Sequence, residues 1–145
     1  MIWKSTTQQA RSSNVIAVDT SSLAKVVLLE EEWESVPLTT DTATLDYYSI
    51  VEVSSSVWKA VLQERIGEGD AKKKIEALKM LAGALTIFKA EDYLERGFEI
   101  ALKEKITVYD AIYIALAEDK GATLFTSDRR QYNAAKRYAR TIFVG

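Results

Sequence analysis

Val15-Ile-Ala-Val-Asp-Thr-Ser-Ser22 decides the architecture of this chain. Val15 to Val18 is an unbroken apolar run, too short for a helix and without the alternation of a half-buried strand, so it reads as a strand covered on both faces. Such strands belong to parallel sheets lying between layers of helices. Asp19-Thr-Ser-Ser22 then supplies capping side chains for a helix expected over Leu23 to Glu32. Asp19 thereby stands at the carboxyl end of a parallel strand, the edge where open α/β sheets hold their ligands.

Working outward, Ala122-Thr-Leu-Phe-Thr-Ser-Asp128 repeats the design of apolar strand, hydroxyls and carboxylate. A helix over Arg129 to Tyr138 and a last strand over Thr141 to Val144 follow it. Between the two motifs, Trp33 to Asp41 is a loop with the only proline, Pro37, and Thr42 to Leu45 is a weakly marked strand. Ser49 to Ile66 has helical period, with Ile50, Val53, Val57, Val61 and Leu62 inward and Glu52, Ser56, Lys59 and Gln63 opposite. Gly67 to Gly69 breaks the chain, and Asp70 is expected to cap a third helix whose inner stripe is Ile75, Leu78, Leu81, Ala82 and Leu85. Lys72-Lys-Lys74 in its first turns reads as a solvated face. Leu85 to Phe88 is a strand, followed by a helix over Asp92 to Lys105 with Leu94, Phe98, Ala101 and Leu102 inward. Ile106 to Ala117 is apolar on every side, as a fully buried helix is, and Gly121 ends it. The alternation describes an α/β fold, a three-layer sandwich with a mostly parallel central sheet flanked by helices. It occupies residues 14–145 as one domain, after a polar arm over residues 1–13.

Composition narrows the chemistry. The 145 residues contain no cysteine and no histidine, which removes disulfides, thiolate and imidazole metal sites, cysteine nucleophiles and Ser-His-Asp catalysis. Carboxylates, hydroxyls, lysines or a metal-activated water must carry any reaction. A formal net charge of −2 gives no global attraction to nucleic acid, so phosphate binding would need a local basic patch. No apolar run reaches the ~20 residues of a bilayer span, and a soluble, cytoplasmic protein is expected.

Four carboxylates occupy comparable places: Asp19 and Asp128 just past strand ends, Glu52 and Asp110 in first turns of helices. Asp110 is the only charge within Ile106 to Ala117. Two readings stand for Asp110 and Glu52. Thr107 to Asp110 and Ser49 to Glu52 fit capping boxes; alternatively, all four acids converge at one sheet edge. Two carboxylates ~5 Å apart at an effective dielectric of ~20 repel by about 3 kcal/mol. A convergent set therefore holds protons or a cation, and all-oxygen donors suit Mg²⁺ or Mn²⁺.

Val15-Ile-Ala-Val-Asp-Thr-Ser-Ser22, Ile50-Val-Glu-Val53, Thr107-Val-Tyr-Asp-Ala-Ile-Tyr-Ile-Ala-Leu-Ala117 and Leu124-Phe-Thr-Ser-Asp128 together resemble the PIN-domain family, most closely its VapC-like toxin branch. The resemblance covers the chain from about Asn14 onward. It implies a Mg²⁺- or Mn²⁺-dependent endoribonuclease whose acidic set is Asp19, Glu52, Asp110 and Asp128, with Ser21 and Thr126 as accompanying hydroxyls. It also implies a VapB-like antitoxin and a homodimer. The polar arm and the poorly marked strand before the Glu52 helix depart from the family pattern. Arg129 and Arg130 head the most basic stretch, which continues through Lys136, Arg137 and Arg140. Either arginine would stand near Asp128 to hold a phosphate, unless the stretch is simply a charged exterior helix. Tyr109 and Tyr113 read as core. The competing reading is a PIN-like fold that binds RNA or a partner protein without cleavage. A phosphate-accepting receiver domain would need acids crowded after the first strand and a lysine after a late one, and has neither.

Overall fold

In the computed structural model, which describes residues 15–145, strand and helix alternate. The order is β1 (Ile16–Val18), α1 (Thr20–Val27), β2 (Ala43–Leu45), α2 (Asp46–Leu62), α3 (Glu68–Ala84), β3 (Thr86–Phe88), α4 (Leu94–Glu104), α5 (Val108–Lys120), β4 (Thr123–Thr126), α6 (Arg129–Ala135) and β5 (Thr141–Phe143). Short 3-10 turns cover Trp33–Ser35 and Ala90–Tyr93. The expected arm over residues 1–13 lies outside the described residues.

The sheet order is β3-β2-β1-β4-β5, and every pairing is parallel. The alternation of strand side chains feeds two cores. Ala17, Ala43 and Leu124 enter one with Ile100, Ile114 and Leu116 of α4 and α5. Ile16, Val18 and Phe125 enter the other with Leu23, Val53, Val57 and Leu78 of α1 to α3. This is the expected three-layer α/β sandwich. The weakly marked Thr42 to Leu45 segment is buried throughout and forms the second strand from the edge. Its threonines are tolerated there because they are paired: Thr44 Oγ1 donates to the Val18 carbonyl at 2.9 Å, and Thr42 Oγ1 accepts from Thr39 N–H at 2.8 Å.

Several boundaries and faces differ from expectation. α1 starts three residues early, because Asp19 accepts from Ser22 N–H. It ends at Val27, where Leu29 turns left-handed (φ 53°) and Glu30 N–H closes on the Lys25 carbonyl at 3.0 Å. α2 starts at Asp46, so Ser49 lies inside the helix and its hydroxyl donates back to the Leu45 carbonyl. The Ser49–Glu52 capping box is therefore not formed, and Leu62 is 61% exposed. In α3 the N-cap is Gly67; Asp70 sits in the first turn, 3.9 Å from Lys74. α4 buries Gly97, Ile100 and Ala101, leaving Leu94, Phe98 and Leu102 between 52% and 67% exposed. Gly97 explains the rotation of that face, since a Cβ there would lie 2.7 Å from Ile112 Cγ2. The close approach buries the face that carries Gly97, Ile100 and Ala101. α6 stops at Ala135, short of Tyr138, in turns to Tyr138 and Ala139.

α5 matches its sequence. Thr107 caps it by accepting from Asp110 N–H at 3.1 Å, Ala111 to Ala117 are buried without a break, and Gly121 ends it at φ 60°. Among the described residues, no helix is long and apolar enough to cross a membrane.

Candidate active site

β1 and β4 are hydrogen-bonded neighbours, so Asp19 and Asp128 emerge side by side at their carboxyl ends. Each caps the helix that follows, Asp19 accepting from Ser22 N–H at 2.9 Å and Asp128 from Gln131 N–H at 3.0 Å. Glu52 reaches the same edge from α2, and Asp110 from the first turn of α5. One cavity of about 280 Å³ is lined by all four acids together with Thr20, Ser21, Ser56, Tyr109 and Tyr113. Capping and convergence are thus compatible for Asp19 and Asp128. For Asp110, Thr107 supplies the cap, and among the described residues no reciprocal bond runs from the Asp110 carboxylate to the Thr107 backbone.

Asp19 is 5% exposed. Its Oδ1 accepts from Ser21 Oγ at 2.7 Å and Ser22 N–H at 2.9 Å, and its Oδ2 lies 2.6 Å from Thr126 Oγ1. Burial pushes its carboxyl above the usual range, against the pull of the hydroxyl and amide donors. A count of hydrogens points the same way. Thr126 has one hydroxyl hydrogen but faces two acceptors, Asp19 Oδ2 at 2.6 Å and Gln131 Oε1 at 2.7 Å. The Gln131 amide is held in that orientation by its Nε2, which donates to the Asp110 carbonyl at 2.9 Å. A proton on Asp19 Oδ2, donated to Thr126, satisfies every partner.

Asp110 is also raised, by burial first and then by the charge of Asp128; the Thr107 hydroxyl and Arg130 pull it down, and Glu52 raises it further. Asp128 and Glu52 share the cavity with Asp110. Arg130 acts on Asp110 from outside the residues that line the cavity. The Arg129 guanidinium lies 3.7 Å from the Phe143 ring centroid and 5.5 Å from that of Tyr132. Lys136 lies over Tyr132, and Arg137 pairs with Glu104, as the exterior-helix reading expects.

Sequence reasoning missed three participants. Tyr113 is buried, as expected of core, yet its hydroxyl meets Ser49 Oγ and, at 3.2 Å, Thr20 Oγ1 on the cavity floor. Ser49 was assigned to a cap. Gln131 stands three residues after Asp128, where a capping box places Gln. Its side chain turns instead toward Thr126 and Asp110.

A family model described as PIN domain matches residues 16–137. The chain belongs to the PIN-domain family. Among its relatives, Ribonuclease VapC3 of Pyrobaculum aerophilum is 34% identical over 119 residues, 79% of this chain and 90% of the relative. Ribonuclease VapC9 of Mycobacterium tuberculosis is 30% identical over 79 residues, 54% of this chain and 59% of the relative. These likenesses put this PIN domain in the VapC-like branch. PAE2754 from Pyrobaculum aerophilum has a similar fold, with a TM-score of 0.66 at 24% identity, covering 90% of this chain and 84% of that one. A toxin-antitoxin complex from Klebsiella pneumoniae gives a TM-score of 0.62 at 18% identity, covering 81% and 89%.

The donor chemistry of the PIN-domain cavity fits a hard divalent cation. Carboxylates and hydroxyls are its polar groups, and burial raises the carboxyls of at least two of the acids, Asp19 and Asp110. As the side chains lie, no three acids among the described residues are grouped closely enough to hold one ion. Asp19 and Asp128 are fixed by their cap bonds. Glu52 and Asp110 are half-buried and cap no helix.

Proposed function

We propose that this PIN domain is a Mg²⁺- or Mn²⁺-dependent endoribonuclease of the VapC-like kind, hydrolysing RNA phosphodiesters. The observation that carries the reading is the convergence of Asp19, Glu52, Asp110 and Asp128, distant in sequence, on one cavity at the carboxyl edge of the sheet. The ribonuclease names of the VapC relatives support it.

In this reading the four acids would hold the ion. When bound, a divalent ion supplies Lewis acidity toward a phosphoryl oxygen and lowers the pKa of water. The chain supplies the rest. Ser21 and Thr126 hold the Asp19 carboxylate in one orientation. Arg130, close enough to Asp110 to lower its carboxyl, offers a charged donor for a phosphate oxygen. The carboxyls of Asp19 and Asp110 are both raised, so protons would compete with the ion for them.

A VapB-like antitoxin and a homodimer belong to the same proposal. One structural neighbour is a toxin-antitoxin complex. Apolar side chains also stand exposed on two helices here: Val51, Trp58 and Leu62 on α2, and Leu94, Phe98 and Leu102 on α4.

The second reading, a PIN fold that binds RNA or a partner without cutting, is favoured by one observation: among the described residues, no three acids are grouped closely enough to hold one ion. Incubation with single-stranded RNA separates the two. Cleavage is expected with Mg²⁺ or Mn²⁺, absent with a chelator, and reduced by ~100-fold or more in Asp110→Asn, the upper end of what loss of a metal-site partner costs. Cleavage that survives both the chelator and the substitution rejects the mechanism, and RNA binding without cleavage favours the second reading.

A further inference from the structure

Gln131 is a fully buried amide in the first turn of α6, outside the acidic set. Its Nε2 donates to the Asp110 main-chain carbonyl at 2.9 Å, and its Oε1 accepts from Thr126 Oγ1 at 2.7 Å. Its backbone N–H donates to Asp128 Oδ1 at 3.0 Å. Thr126 in turn lies 2.6 Å from Asp19 Oδ2. One residue thus touches Asp110 and Asp128 directly, and Asp19 through a single hydroxyl.

The bonds are not redundant. Asp19 and Asp128 are already fixed relative to each other by the β1–β4 ladder, by Ser22 Oγ donating to the Phe125 carbonyl at 2.8 Å, and by Ser127 N–H donating to Ser21 Oγ at 2.9 Å. α5 is not part of that ladder. Tyr113 ties it to Thr20 one turn further on, at 3.2 Å. Among the described residues, Gln131 alone hydrogen-bonds the turn carrying Asp110 to the strand edge. An apolar side chain of similar length would fill the same volume without desolvating an amide, but it would leave the separation of α5 from β4 to packing alone.

We propose that Gln131 is a positioning residue, setting Asp110 at its distance from Asp19 and Asp128. The role rests on reading the cavity as a metal-dependent nuclease site. A loss of the two amide bonds should therefore weaken ion binding more than it weakens the fold.

Gln131→Met keeps the side chain's length and removes both bonds. Ala135→Gly, at a buried position in the same helix away from the acids, controls for general loosening. Titration calorimetry with Mn²⁺ is expected to show affinity ~10–100-fold weaker in Gln131→Met, the range found for groups that orient metal ligands, and unchanged affinity in Ala135→Gly. Wild-type affinity in Gln131→Met, or an equal loss in Ala135→Gly, overturns the proposal. If the wild type itself binds no Mn²⁺, the nuclease reading fails separately. The crystal structure of ion-free Gln131→Met then decides, a displaced Asp110 supporting the positioning role and an unmoved one refuting it. If Gln131→Met does not fold, the wild-type spectrum serves: the Gln131 side-chain amide protons should exchange slowly with solvent, and fast exchange overturns the assignment.

Discussion

Asp19 does two jobs that make opposite demands on its proton. As an N-cap it accepts from Ser22 N–H and Ser21 Oγ, which favours the carboxylate; buried beside Thr126, whose hydrogen Gln131 also claims, it favours the acid. Burial wins, and the carboxyl is raised from its ordinary 3.8. The sign of the linkage follows. A raised acid binds more protons folded than unfolded, so its contribution to stability is complete below the unfolded value and is lost as pH rises through the folded one. Asn at this position mimics the protonated form, since Asn caps helices as well as Asp does and its amide can donate to Thr126. In chelator, Asp19→Asn should match the wild type at about pH 4 and exceed it by about 1–2 kcal/mol at pH 7, the scale of one unsatisfied buried polar contact. Urea denaturation at the two pH values measures this. A deficit of the same size at both would mean that Asp19 is only a cap.

At the scale of elements, the α4–α5 contact turns on Gly97. A Cβ there would meet Ile112 Cγ2 at 2.7 Å and its Cα at 3.2 Å. Gly97→Ala gains about 1 kcal/mol in helix propensity but overpacks a close backbone approach, which costs about 1–3 kcal/mol. Net destabilisation of about 1 kcal/mol is expected in urea, and a stability gain would show that the helices separate freely. The same contact explains what the sequence did not disclose about α4. Leu94, Phe98 and Leu102 recur four residues apart, as a buried stripe does, but the face that packs is the one whose small residues permit closeness. Periodicity finds an apolar face; it does not say whether this chain or another covers it. Helix ends were legible at Thr107 and Gly121, where a side chain and a glycine make the caps. They were misplaced at α2 and α3, whose caps Leu45 and Gly67 make no side-chain bond.

At the scale of the molecule, the acids were legible because parallel topology does most of the placing: strand ends and helix starts share an edge, whatever their separation along the chain. The groups around the acids were not legible, since Gln131 meets Asp110, and Tyr113 meets Ser49 and Thr20, only after the strands and helices have packed. A site gathered from residues 19 to 128 exists only in the folded state, so whatever binds it stabilises the whole domain. The chain carries a net charge of only −2, but four of its acids share one cavity, so the expected response to a divalent cation is local rather than a general effect of salt. Mn²⁺ at ~100 times its dissociation constant should add about 2.7 kcal/mol, a rise of roughly 5–10 °C in melting temperature for a domain of this size. NaCl at matched ionic strength should not reproduce the rise, and Asp110→Asn should abolish most of it. Because the carboxyls of Asp19 and Asp110 are raised and protons compete with the ion for them, the rise should be larger at about pH 8 than at about pH 5. Equal melting temperatures with and without saturating Mn²⁺ at pH 8 would remove the case for a metal in this cavity, and with it the proposed route to RNA hydrolysis.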